Sequence, residues 1–383
     1  MQKIYFIPFF LLLFIACKTD HKQKEANTEI TSSINNSQVE IKYAKGFKID
    51  LYNGYKVITL KNPWPGADKE YRYALIENEG SLPKNEIFDA VVNIPINNIV
   101  VTSTTHIPSL EMLGVADALV GFPNMDYISS ETTRKRIDED KIKELGKNED
   151  INTEVLIELS PDLVIGFAVD GNNTTFNTIQ KTGISVVYNA DWTETSPLGK
   201  AEWIHFFGAF FNKEKEADSI FKTIESEYLS AKKIASQAKT TPTVLSGAMY
   251  KDIWYLPQGD SWAAQFIADA NGDYIWKETN GTGSLSLNLE AVLEKGKNAE
   301  YWIGPGQFTS LHQLKETHSV YPQFEAYKKG NVFSFTNKQG AKGGVLYYEL
   351  APNRPDLVLK DIIKILHPDL LPDYKPYFFT KLN

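Results

Sequence analysis

Between positions 98 and 370, short apolar runs alternate with segments whose apolar residues recur at helical spacing. This is the rhythm of βα units that build a mainly parallel sheet. The runs IVVTS (99–103), ALVGF (118–122), LVIGF (163–167) and SVVYN (185–189) predict four strands, separated by helices over Pro108–Leu113, Asn152–Leu159 and Asn173–Thr182. They make a first αβ lobe, residues 99–196. From Pro197 to about Lys239 the pattern turns wholly helical, with Trp203, Phe206, Phe207, Phe210, Phe211, Ala217, Ile220, Phe221, Ile224 and Tyr228 at helical spacing. Residues 197–239 are therefore predicted to form one long helix, which serves equally as a core element or as a rod joining two lobes. A second βα series follows over 240–383, with strands at TVLSG (243–247), IWYLP (253–257), YWIGP (301–305) and VFSFT (332–336) and a last helix from Pro355 to Leu366.

Ahead of the first lobe, residues 43–98 read as β-rich. GFKIDLYNGYKVITL places Asn53-Gly54 between two strand-like runs, a strong hairpin signal. This extension is expected either to cover one edge of the first lobe's sheet or to contact a partner. The fold class is thus α/β: two αβ lobes with mainly parallel sheets, one long joining helix and an N-terminal β-rich extension.

The first residues change the picture from a plain two-lobed chain to an exported one. Lys3 gives a positive start, Ile4 to Ile15 a short apolar run, and Ala16 precedes Cys17, the only cysteine of the chain. The run is too short for a permanent span, and residues 1–16 read as a lipoprotein signal peptide with Cys17 as the lipidated residue. Phe14 stands where such signals usually carry Leu. Residues 17–42 are a polar tether. The expected location is the periplasm, with the chain lipid-anchored to a membrane. A net charge of −8, with acids and lysines interspersed, argues against nucleic acid as a partner.

Two segments echo each other: EVLIELSPDLVIG from Glu154 and EAVLEKGKNAEYWIG from Glu290. Each opens with Glu at a helix start, places Leu soon after, and ends in an apolar strand closed by Gly. With IVVTSTTHIPSLEMLGVADALVGF (99–122), INTEVLIELSPDLVIG (151–166), LNLEAVLEKGKNAEYWIG (287–304) and NRPDLVLKDIIKILHPDL (353–370), the chain resembles the helical-backbone (class III) substrate-binding proteins of ABC importers for iron complexes, haem and cobalamin. The resemblance spans roughly residues 98–370. It implies two αβ lobes joined by one helix, a ligand held between them, a monomer, and an ABC permease as partner. It also implies permease docking through one glutamate per lobe, here Glu154 and Glu290. Carboxylates at helix N-termini are stabilised by the helix dipole, which suits such a role as well as it suits a plain helix-start acid.

Ligands of open αβ sheets lie beyond the C-terminal ends of the strands. The loops there offer Thr105, His106, Tyr127, Trp192, Tyr250, Trp254 and Trp262 as candidate ligand contacts. Aromatic faces with a few directed polar groups suit a flat macrocycle or a metal complex. His106, between a strand and a helix, is placed either to touch a bound metal complex or simply to pack. Arginine occurs only at positions 72, 134, 136 and 354, which disfavours a strongly anionic ligand and leaves haem or cobalamin ahead of a catecholate siderophore. No nucleophile elbow, P-loop, HExxH or paired His/Cys spacing is present, so neither catalysis, a cofactor nor a resident metal site is expected. Three readings remain: a transporter-linked receptor, a same-fold ligand store or sensor, and a lipid-anchored hydrolase.

Overall fold

The computed structural model describes residues 37–77, 82–171 and 173–383. The expected signal peptide, Cys17 and most of the expected tether lie outside the described residues. In the first lobe the strands run Val186–Asn189, Leu163–Phe167, Ile99–Val101, Leu119–Phe122 and Lys143–Glu144 across the sheet, all parallel. The second lobe's sheet runs Asp273–Tyr274, Thr243–Ser246, Tyr301–Ile303, Val332–Ser334 and Thr380–Lys381, with only the last pair antiparallel. The central strands are buried on both faces, which is why their sequences are unbroken apolar runs.

One expected strand forms in a different sheet. Ile253–Pro257 pairs antiparallel with Ala248–Tyr250 and Ser284–Leu287 in a three-stranded side sheet. Its burial alternates, with Trp254 and Leu256 inward and Ile253 and Tyr255 exposed. Aromatic residues on both faces hid that alternation in the sequence.

The stretch expected as one helix over 197–239 is three: Pro197–Ala201, Ile204–Phe210 and Glu214–Ala235, the last of 22 residues. The second of the two breaks falls at Asn212, in the left-handed region at φ 55°, where the Lys213 N–H returns to the Gly208 carbonyl at 2.9 Å. That is a Schellman-type stop, and Asn is among the few non-Gly residues that tolerate its backbone angle. The long helix joins two separate cores. Phe221 and Ile224 pack into the first lobe's core, whereas Tyr228, Ala231 and Ala235 belong to the second's.

The N-terminal extension is a five-stranded sheet of Ser37–Gln38, Phe47–Tyr52, Tyr55–Leu60, Tyr71–Glu77 and Ala90–Ile94. Asn53-Gly54 closes the hairpin, with Gly54 at φ 81°. Phe47, Ile49, Ile58, Leu60, Tyr73 and Leu75 merge with the first lobe's core. The Tyr188 N–H donates to the Tyr73 hydroxyl at 3.1 Å, and Trp64 and Tyr71 meet the Tyr188 ring edge-on. Tyr188 lies in the edge strand of the first lobe, so the extension covers that edge. Two buried carboxylates weld it in place. Glu202 accepts the backbone N–H groups of Lys42, Tyr43 and Ala44 at 2.6–2.7 Å. Glu194 accepts those of Lys45 and Gly46 at 2.8 Å and the Trp203 indole N–H at 3.1 Å.

Candidate functional site

The C-terminal ends of three parallel strands in the first lobe deliver Thr102, Ser103, Thr104, Phe122, Pro123, Asn124 and Phe167 to one side of a cleft of about 700 Å³. Tyr127 and the short hairpin Lys147–Glu149 extend that wall, and Gln307, Gly343, Gly344, Val345 and Tyr348 of the second lobe form the other. The volume falls within the roughly 300–1,000 Å³ of small-molecule sites. Its lining is hydroxyl, amide and aromatic, with Lys147 and Glu149 as the charged side chains among the described residues. Tyr127 and Tyr348 come from opposite lobes, and both are well exposed, at 67% and 49%. The Asn148 amide donates to the Thr102 carbonyl at 3.1 Å and holds the hairpin over the cleft. Tyr348 also borders an apolar recess of about 240 Å³ in the second lobe, lined by Trp262, Phe266, Phe335, Tyr347 and Phe379 among others. No group of three or more metal-ligating side chains occurs among the described residues.

The candidates from the sequence separate in space. Tyr127 lines the cleft, and Trp262 lines the adjoining recess, where the Lys200 ammonium stands 5.3 Å from its ring centre. Thr105 lies at the junction of the lobes: its hydroxyl donates to Asp191 at 3.0 Å and its carbonyl accepts from the Asn353 amide at 2.8 Å. Trp192 and Tyr250 are exposed but do not line the cleft wall, Tyr250 standing on the side-sheet hairpin.

His106 and Trp254 face inward instead. His106 is fully buried against Phe207, with centroids 5.4 Å apart, and burial holds its imidazole below the usual pKa. His106 ends the 3-10 turn Thr104–His106 and does not line the cleft that Ser103 and Thr104 face. Trp254 is fully buried, donates its indole N–H to the Ser246 carbonyl at 3.0 Å and stacks on Trp302. Among the cleft residues absent from the sequence candidates are Tyr348, on a short helix beyond the last strand run, and Lys147–Glu149. The latter sit in a charged run, and only the pairing of Gly146–Lys147 with Asp150–Ile151 turns that run back over the strand ends.

Glu154 and Glu290 occupy matching places. Each is exposed in the first turn of its helix, Thr153–Leu159 or Leu289–Gly296. Each helix is capped by Asn, with the side chains of Asn152 and Asn288 accepting the N–H of Val155 and Ala291 at 3.1 and 2.9 Å. The sequence echo is thus a repeated Asn-x-Glu helix start, one per lobe.

Two αβ lobes with parallel sheets, one joining helix and a cleft at the strand ends define a bilobal binding fold. Residues 99–338 match the periplasmic binding protein family, and the chain belongs to it, in the type III form. Family and structural neighbours are solute-binding proteins. Over 388 residues it is 29% identical to an uncharacterized lipoprotein of Methanocaldococcus jannaschii, covering 95% of this chain and 90% of that one. The fold is similar to that of a possible iron-binding (periplasmic solute-binding) protein from Staphylococcus epidermidis, at a TM-score of 0.56 and 16% identity over 71% of this chain and 99% of that one. It is also similar to Staphylococcus aureus IsdE complexed with heme, at a TM-score of 0.51 and 17% identity over 70% and 98%.

Proposed function

We propose that this protein is the receptor of an ABC importer: it captures a metal-containing small molecule, an iron complex or cobalamin, between its lobes and delivers it to a permease. The observation that carries this reading is the inter-lobe cleft, with a tyrosine from each lobe and a lining rich in hydroxyl and amide groups. Aromatic faces give broad apolar contact to a flat or caged complex, and the hydroxyls and amides orient its polar rim. One lysine and one glutamate leave the lining without net charge, which favours haem or cobalamin over a polyanionic catecholate. A structural neighbour complexed with heme and an Fe3+-hydroxamate transport protein of Saccharomonospora viridis, at a TM-score of 0.52, support the ligand class.

In this reading Glu154 and Glu290 dock on cationic side chains of the permease, one contact per lobe. Cys17 carries the lipid that keeps the receptor at the membrane, in line with the lipoprotein names of two relatives. The binding step is noncovalent, and the receptor acts as a monomer. Tryptophan-fluorescence titration with cobalamin, haem and a panel of ferric siderophores tests the proposal. Saturable quenching by one class supports it and names the ligand; no response to any of them overturns it.

A further inference from the structure

The loop of the second lobe that lines the cleft is also fastened to the first lobe. Gly340 and Gly344 lie so close to it that an added Cβ would stand 2.5 Å from the Ser129 Cα and 2.1 Å from the Tyr127 carbonyl oxygen. The helix that follows, Leu346–Leu350, carries the cleft residue Tyr348 and, next to it, the buried Glu349. The Glu349 carboxylate reaches across the lobe boundary to accept the Ser129 N–H at 2.7 Å and the Ser130 N–H at 2.9 Å. Ser130 caps the helix Glu131–Asp138, so the carboxylate lies at that helix's N-terminus. Asn353 adds a second fastening, bonded to Ser109 and to the Thr105 carbonyl, both at 2.8 Å.

We propose that Glu349 is a latch between the lobes, whose protonation state sets how readily the cleft opens. Glu349 borders a second inter-lobe cavity of about 910 Å³, shared with Glu111, Glu131, Arg134, Lys135, Asp138 and Lys338. Glu111 is engaged by the Ser130 and Thr133 hydroxyls. Arg134 donates to the Met125 carbonyl, and Lys338 to those of Pro376 and Tyr377. Among the described residues no cation forms an ion pair with Glu349. Burial therefore outweighs the two N–H donors, and with Glu111 nearby it pushes the Glu349 carboxyl up to about 7.

The sign follows from linkage. With the lobes apart the carboxyl meets water and titrates near the ordinary value of about 4.3. The closed form thus binds the proton more tightly, so mild acid favours closure. Closure weakens as the pH rises from about 4.3 through about 7. A neutral carboxyl still accepts an N–H through its carbonyl oxygen, so the latch holds without the cost of a buried charge.

Hydrogen exchange on the ligand-free chain, corrected for the intrinsic pH dependence of exchange, tests this. Segments 127–130 and 340–348 should lose protection together between pH 5.5 and pH 8, on the order of tenfold or more. Glu349→Gln, neutral at every pH, should abolish that difference while keeping part of the protection. Glu349→Ala should expose both segments at either pH. Wild-type pH dependence retained in the Gln variant overturns the proposal, as does exposure of one segment without the other. If the Ala variant does not fold, the Gln variant alone decides.

Discussion

Single carboxylates and imidazoles carry much of this protein's architecture because each is buried among specific backbone donors or rings. Glu202 gathers three N–H groups of residues 42–44, and removing it leaves donors without a partner. Glu202→Ala is expected to cost about 3 kcal/mol, read as a lower urea midpoint with an unchanged slope. His106 responds to acid in the opposite sense to Glu349. Burial lowers its pKa, so the unfolded chain binds the proton more tightly. The stability this neutral imidazole allows is retained above the ordinary histidine pKa of about 6.5 and declines as the pH falls below it. His106→Leu should flatten the loss of stability between pH 7 and pH 5, measured by urea unfolding at both. In the cleft, Tyr127→Ala and Tyr348→Ala should each weaken binding of the ligand found by titration by about tenfold, as loss of an aromatic face worth roughly 1.5 kcal/mol implies.

At the scale of elements, the two Asn-capped helices separate stability from function cleanly. Asn152→Ala and Asn288→Ala each remove a capping bond and should cost about 1 kcal/mol. Glu154→Ala and Glu290→Ala change exposed side chains, so their stability should stay within about 0.5 kcal/mol of wild type. If the docking role holds, the paired glutamate variant should bind ligand normally yet fail to support import in cells. Normal import by that variant would favour the store or sensor reading. The longer strands of the two lobe sheets were legible as apolar runs, and Leu163–Phe167 and the helix Pro355–Leu366 form at their expected ends, whereas the two-residue strands Lys143–Glu144, Asp273–Tyr274 and Thr380–Lys381 carry no such run. The long helix was legible only in part. The aromatic period continues through 203–211 because that whole segment is buried, while the stop at Asn212 depends on one backbone angle.

Across the whole molecule, apolar periodicity gave the two αβ lobes and part of the joining helix, and the glutamate echo together with the longer strings around it carried the resemblance to the family that the match over 99–338 bears out. Those features are local, and each repeats within a few residues. The hairpin at Asn53-Gly54 was equally local, since the turn needs a residue at positive φ and Gly supplies it. Only the tertiary structure decided what the extension does, because its contacts with Tyr188, Glu194 and Glu202 span more than a hundred residues. The same holds for the cleft. Trp254 lies in the side-sheet strand and Tyr348 in a short helix, and one stacks in the core while the other faces the opening, according to which neighbours the fold brings against them. Glu349 carries no signal in the sequence, and only the fold sets Ser129 and Ser130, some 220 residues away, against its carboxylate. Burial and partnership are properties of contacts between distant segments, and a linear pattern records only which face of its own element a residue occupies.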